Sequence, residues 1–213
     1  MTLIQRFLIP SSIVCLLAPG ALAKDMQQAR GERDGKVRDL RDGTVYKTVT
    51  FDGQRWMARN LNYKTGNSWC YDNRPDNCRK YGRLYDWKTA LHACPEGWHL
   101  PSAGELKIGH GIKADVNESV NAPSQRVVLL SRSYGGMDTY GFNAIPVGFR
   151  SSDGKFCDFG SIATFWYSSK TDDQFAHCLK LYVRQLRGRD WIELEPDFHI
   201  SSGLSVRCVE DPS

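Results

Sequence analysis

The sequence predicts an α+β domain in which two short helices sit inside a largely antiparallel, disulfide-stapled sheet. Three observations carry that expectation. β-prone runs flank Asp52-Gly53 and stand beside Asp153-Gly154, and such Asp-Gly pairs are strong short-range hairpin signals. Leu84, Trp87, Leu91 and Cys94 recur at steps of three and four, the buried face of a short helix. Six cysteines (70, 78, 94, 157, 178 and 208) follow an apolar leader, and an even count in an exported chain reads as three bridges.

The leader comes first. Arg6 precedes a mostly apolar run from Phe7 to Leu17, which Pro19-Gly20 breaks before Ala21-Leu22-Ala23, the small-residue pattern of signal peptidase cleavage. Residues 1–23 are therefore expected to be a signal peptide, too short and too broken by Pro10 and Pro19 to span a membrane. What remains has the size of one domain. The formal charge is +4 over 213 residues, with both signs interspersed. Only Arg184-Gln185-Leu186-Arg187-Gly188-Arg189 hints at a basic cluster, so no nucleic-acid footprint is expected.

Residues 24–41 are dense in mixed charge and poor in large apolar side chains, a flexible lead-in. The domain is expected over 42–210. Val45, Val49 and Phe51 make the first strand of a hairpin, and Gln54 to Ala58 the second. Cys70 and Cys78 flank a polar loop and pair most simply with each other, although six cysteines allow fifteen connectivities. The helix from Tyr85 to Ala93 stops at Pro95, which lacks the donor to continue it. Ser102 and Glu105 have the spacing of a capping box and open a second helix, weakened by Gly104, Gly109 and Gly111. Short strands and turns follow from Tyr140 to Val209, and Trp56, Trp87, Trp98 and Trp166 are expected in the core, with Trp69 exposed.

Taken in order, several segments resemble the Fibrobacter succinogenes major paralogous domain of exported bacterial proteins. They are residues 42–49 (DGTVYKTV), 54–63 (QRWMARNLNY), 81–87 (YGRLYDW), 93–102 (ACPEGWHLPS), 140–148 (YGFNAIPVG), 165–169 (FWYSS) and 205–209 (SVRCV). That family looks like a branch of the C-type-lectin-like and formylglycine-generating-enzyme folds. The resemblance implies two short helices, small twisted antiparallel sheets and long loops. It also implies a bridge from the first helix to the last strand, assigned to Cys94–Cys208, and a second one pinning the loop region, assigned to Cys157–Cys178. One departure is Glu105-Leu106, where relatives carry an acid followed by tryptophan, and it implies a shortened or distorted second helix.

The chemistry is sparser. Glu195-Pro196-Asp197 resembles the motif with which lectins hold calcium and sugar hydroxyls, since two carboxylates spaced by proline supply hard oxygen ligands. It stands close to Cys208 and lacks the partner Trp-Asn-Asp, so a turn of solvated acids is the competing reading. Asp190, Trp191 and Glu193 could form a sugar platform, against Trp191 as an inward strand residue. The five histidines are dispersed, the cysteines lack zinc spacing, and no catalytic residue, metal site or cofactor is assigned beyond the calcium option. The expected protein is a secreted, periplasmic or cell-surface bacterial domain, non-catalytic, that binds an extracellular or cell-surface ligand, with a glycan as the leading candidate. A protein-binding envelope module is the alternative, and an enzyme comes third.

Overall fold

The computed structural model describes residues 35–51, 53–105, 129–183, 192–193 and 198–212. The leader and the Arg184–Arg189 cluster lie outside them. Along the chain the strands are β1 (Lys36–Arg38), β2 (Val45–Phe51), β3 (Gln54–Met57), β4 (Ser68–Trp69), β5 (Leu84–Tyr85) and β6 (Trp98–His99). They continue as β7 (Phe149–Arg150), β8 (Phe156–Cys157), β9 (Ile162–Lys170), β10 (Phe175–Tyr182), β11 (Ile192–Glu193), β12 (Phe198–His199), β13 (Leu204–Ser205) and β14 (Val209–Glu210). Helices α1 (Pro75–Tyr81) and α2 (Trp87–Ala90) are both short. The architecture is mostly β with two short helices.

One sheet has the order β1-β2-β3-β14-β6. Phe51 pairs with Gln54, which leaves two residues for the connection, as the Asp-Gly signal predicts. β1 adds to the other edge of β2, so part of the expected lead-in is strand instead. Its single apolar residue, Val37, is buried, and the fully buried Asp39 carboxylate behind it accepts from Arg41 Nε and Nη2 at 2.9 and 2.7 Å. Arg41 also donates to Ala93 O and lies over the Tyr63 ring, which ties the start of the ordered chain to the core.

The second sheet runs β11-β10-β9-β13-β5-β4, with β12 also on β10. Residues 162–167 of β9 are all buried, an apolar run that does not alternate because both faces of the strand are covered. Trp166 and Cys178 face one cluster, with Trp87, Trp98, Leu204 and Val206. Phe165, Tyr167, Leu179 and Leu181 face the other, with Trp56, Phe142 and Val209. The indole N–H groups of Trp87 and Trp166 donate to Tyr167 O and Tyr85 O at 2.8 and 2.7 Å, so both rings are buried without an unmet donor. Trp69 departs from expectation. It is half-buried, with the Arg150 guanidinium 4.2 Å from its ring centre.

Helix α2 occupies part of the stretch expected to be helical. Asp86 caps it by accepting from Thr89 N at 2.8 Å, and the turn tightens to i→i−3 bonds at His92 and Ala93 before Pro95. Helix α1 stands where a polar loop was expected. Ser102 and Glu105 do form a turn, in which Glu105 Oε2 accepts from Ser102 N and Oγ, both at 2.8 Å. The second helix expected beyond it lies outside the described residues.

Two bridges form, Cys70–Cys78 and Cys94–Cys208. The expected third one, Cys157–Cys178, does not. Cys157 sits half-buried on the β7–β8 ribbon opposite Phe149, whereas Cys178 is buried in mid-β10 opposite Trp166. The two cysteines therefore belong to different sheets, Cys157 to the two-stranded β7–β8 ribbon and Cys178 to the sheet of β9 and β10. Residues 202–209 are buried throughout, and this one segment gives β13 to the second sheet and β14 to the first.

Candidate functional site

The residue that marks the site is Arg207, between β13 and β14. Strand alternation there puts Val206 and Cys208 in one cluster and turns Arg207 toward the other, where it is 1% exposed. Its guanidinium bonds to neutral oxygens. Nε donates to Asn60 Oδ1 at 2.7 Å, Nη1 to Met57 O at 3.1 Å and to Phe142 O, and Nη2 to Asn143 O at 3.0 Å. The plane also lies over the rings of Phe142 and Phe165, 4.6 and 5.5 Å from their centres. Burial pulls its pKa down to about 9, with Asp138 pushing it up and Arg59 pushing it down. At neutral pH it therefore keeps its charge inside the protein.

Asn60 and Asn143, which hold that guanidinium, also line a cleft of about 680 Å³. This is within the range of small-ligand sites. One wall is the β1–β2 edge (Lys36, Lys47, Thr48), the second is the end of α1 (Lys80, Tyr81), and the third is the 138–145 loop. Sequence chemistry explains each wall. α1 starts at Pro75, which fits the first helical position, and ends at Gly82 with Arg79 and Lys80 in its last turn. Gly82 has φ +81°, and a Cβ there would stand 2.6 Å from Asn60 Cβ and 2.9 Å from Leu61 O. Only glycine lets α1 approach the Asn60 segment this closely. Asn60 Nδ2 then donates to Tyr81 O at 2.9 Å and fixes the corner. In the third wall Asn143 has φ +54°, and its N–H donates to Asp138 Oδ1 at 2.6 Å.

The electrostatics of the cleft are one-sided. Lys36, Lys47, Arg59 and Lys80 line it and are exposed, and Asp138 is the single carboxylate among the lining residues. Tyr81 supplies an aromatic edge, continued outward by Phe159 at 5.2 Å between ring centres. Such a cleft can hold a ligand rich in hydroxyl and acidic groups.

A second cluster lies at the other edge of the sheet. His99 Nδ1 contacts Asp211 Oδ1 at 2.6 Å and Nε2 contacts Glu105 Oε1 at 2.8 Å. Burial opposes protonation, but hydrogen bonds to Asp211 and Glu105 outweigh it and hold the imidazole pKa above its usual value. The Glu105 carboxyl is held down, against burial, by its bonds to Ser102 and His99. With both ring nitrogens facing carboxylates the imidazole is a doubly donating clasp.

Of the residues singled out by sequence, Glu193 is described only through its backbone, which pairs with Lys180 in β11 at the sheet edge. Asp190, Trp191, Glu195 and Asp197 lie outside the described residues, and so does the calcium reading built on them. Among the described residues no group of three or more His, Cys, Asp or Glu side chains is arranged so that it could hold a metal ion. Sequence reasoning missed the cleft. The available signals were a charged residue at Arg207 inside an otherwise buried run, and the Pro75–Gly82 pattern of helix boundaries.

A family model, the Fibrobacter succinogenes major domain, matches residues 49–210. No curated protein and no solved structure matches the chain.

Proposed function

The chain belongs to the Fibrobacter succinogenes major domain family, and on that premise we propose that it is an exported, non-catalytic binding domain on a C-type-lectin-like frame. It holds a saccharide of the extracellular or cell-surface space in the Arg207-backed cleft. The observation that carries this reading is the cleft itself, where hydrogen-bonding side chains (Thr48, Arg59, Asn143) converge beside one aromatic residue, Tyr81. Sugars demand that combination, because their hydroxyls need directional partners and their C–H faces need an apolar surface. Export is supported by the leader-like residues 1–23 and by the two bridges, which persist in oxidising compartments. No helix among the described residues is long and apolar enough to cross a membrane.

The test is a glycan array probed with the mature chain and with Tyr81→Ala. Binding that Tyr81→Ala abolishes supports the cleft. Binding that survives Tyr81→Ala but is lost in Trp191→Ala or on chelation moves the ligand to Asp190–Asp197. Capture of an envelope protein that ignores sugar competition, with an empty array, refutes the saccharide reading.

A further inference from the structure

We propose that the saccharide taken by this cleft is acidic, bearing carboxylate or sulfate groups, an inference that rests on the cleft being a saccharide site. Two independent features point to anionic charge. The first is the lining, with four cations against one carboxylate, on a chain whose formal charge is only +4 over 213 residues. Charge that is nearly balanced over the chain is therefore concentrated here. The second is Arg207, a buried cation whose hydrogen bonds among the described residues go to neutral oxygens, and whose partners Asn60 and Asn143 are also lining residues.

The physics connects them. A cation buried in a medium of low dielectric is poorly screened, and its field emerges where the surrounding walls are thinnest. Asn60 meets Arg207 through its side-chain oxygen and Asn143 through its backbone carbonyl, and both residues form the wall between the guanidinium and the cleft. An anion in the cleft supplies an opposite charge across that wall. Lys36, Lys47, Arg59 and Lys80 place four cationic side chains on the walls of one cleft, which suits an anion repeated along an oligomer more than one fixed group. Asp138 bonds to Asn143 N, so part of its capacity is spent on holding the loop.

The experiment titrates the mature chain with an oligogalacturonate, its methyl-esterified form and a neutral β-glucan oligomer. The ester keeps the ring and removes the charge. The free acid is expected to bind at least about tenfold more tightly than its ester, and to weaken by about tenfold or more as salt rises from about 0.05 to about 0.5 M. The exposed quadruple variant Lys36→Gln/Lys47→Gln/Arg59→Gln/Lys80→Gln should lose that preference while its unfolding temperature stays within a few degrees of the parent. Equal binding of acid and ester through Tyr81 overturns the acidic inference and leaves the saccharide reading standing. Binding of none of the three, while the glycan array shows a neutral saccharide held through Tyr81, overturns the acidic inference alone, and an empty array as well overturns both. An inorganic polyphosphate bound as tightly as the uronate overturns the assignment to saccharide acids.

Discussion

Replacing Cys94 and Cys208 together by alanine should destabilise the fold about twice as much as replacing Cys70 and Cys78. The bridges close loops with sequence separations of 114 and 8 residues. In the chain-entropy treatment those lengths correspond to about 4.8 and about 2.5 kcal/mol at 25 °C. Two local terms act on top of the loops. Cys208 is fully buried, so alanine leaves a small void beside Cys94. Arg83 Nη1 lies 3.6 and 3.2 Å from the sulfurs of Cys70 and Cys78, a weak interaction that disappears with the short bridge. Both terms fall below about 1 kcal/mol, less than the difference of about 2.3 kcal/mol between the loops. Equilibrium urea unfolding of the two double variants, each referred to the parent, measures it. Equal losses, or a larger loss for the short loop, would refute the view that the long bridge is the principal covalent constraint.

Arg207→Met should cost about 3–5 kcal/mol, since it strands three carbonyls and the Asn60 amide oxygen in the interior. Arg207→Lys should recover less than half of that, because one ammonium cannot span the four acceptors, and thermal unfolding reads both. The His99 clasp sets a pH window. Its folded pKa is raised from 6.5, so its contribution is complete below that value and is lost as pH climbs through the folded value. Glu105 is lowered from 4.5, so its share is present above 4.5 and is lost as pH falls through the folded value. Stability of the parent relative to His99→Gln should therefore peak between these limits, by less than about 1 kcal/mol given the exposure of the group, in unfolding scans across pH. Gly82→Ala should cost at least about 2–3 kcal/mol from the collision with Asn60 and Leu61, whereas Gly97→Ala, at φ +78° with nothing within 4 Å, should cost only about 1 kcal/mol, as urea midpoints would report.

Legibility in the sequence followed locality. The β2–β3 hairpin needs only the two residues between Phe51 and Gln54, and α2 lies inside the short stretch whose spacing of three and four runs from Leu84 to Cys94, so both could be read directly. Helix α1 hides from periodicity because Cys78 is the one buried residue in it, although Pro75 and Gly82 mark its ends. β1 hides because a strand with one apolar residue between two charges looks like solvated chain, and it is pinned by Asp39 and Arg41 reaching Ala93. The core tryptophans were legible as large apolar bodies in structured segments. The cleft was not, since its walls come from residues 35 to 145 and its backing from Arg207, and no spacing rule links them. Cys157 and Cys178 show the same limit, because counting cysteines says nothing of which sheet each occupies.

The stretch from Leu204 to Glu210 leaves the ribosome after every strand it pairs with and after Cys94, its covalent partner. At about 5–20 residues per second the earlier parts wait many seconds for the piece that fastens them to each other. Until it arrives, β3 and β6 lack their common neighbour, and β9 and β5 lack theirs. Synthesis order thus works as a timer: neither sheet can be completed, nor the long bridge closed, until these last strands arrive.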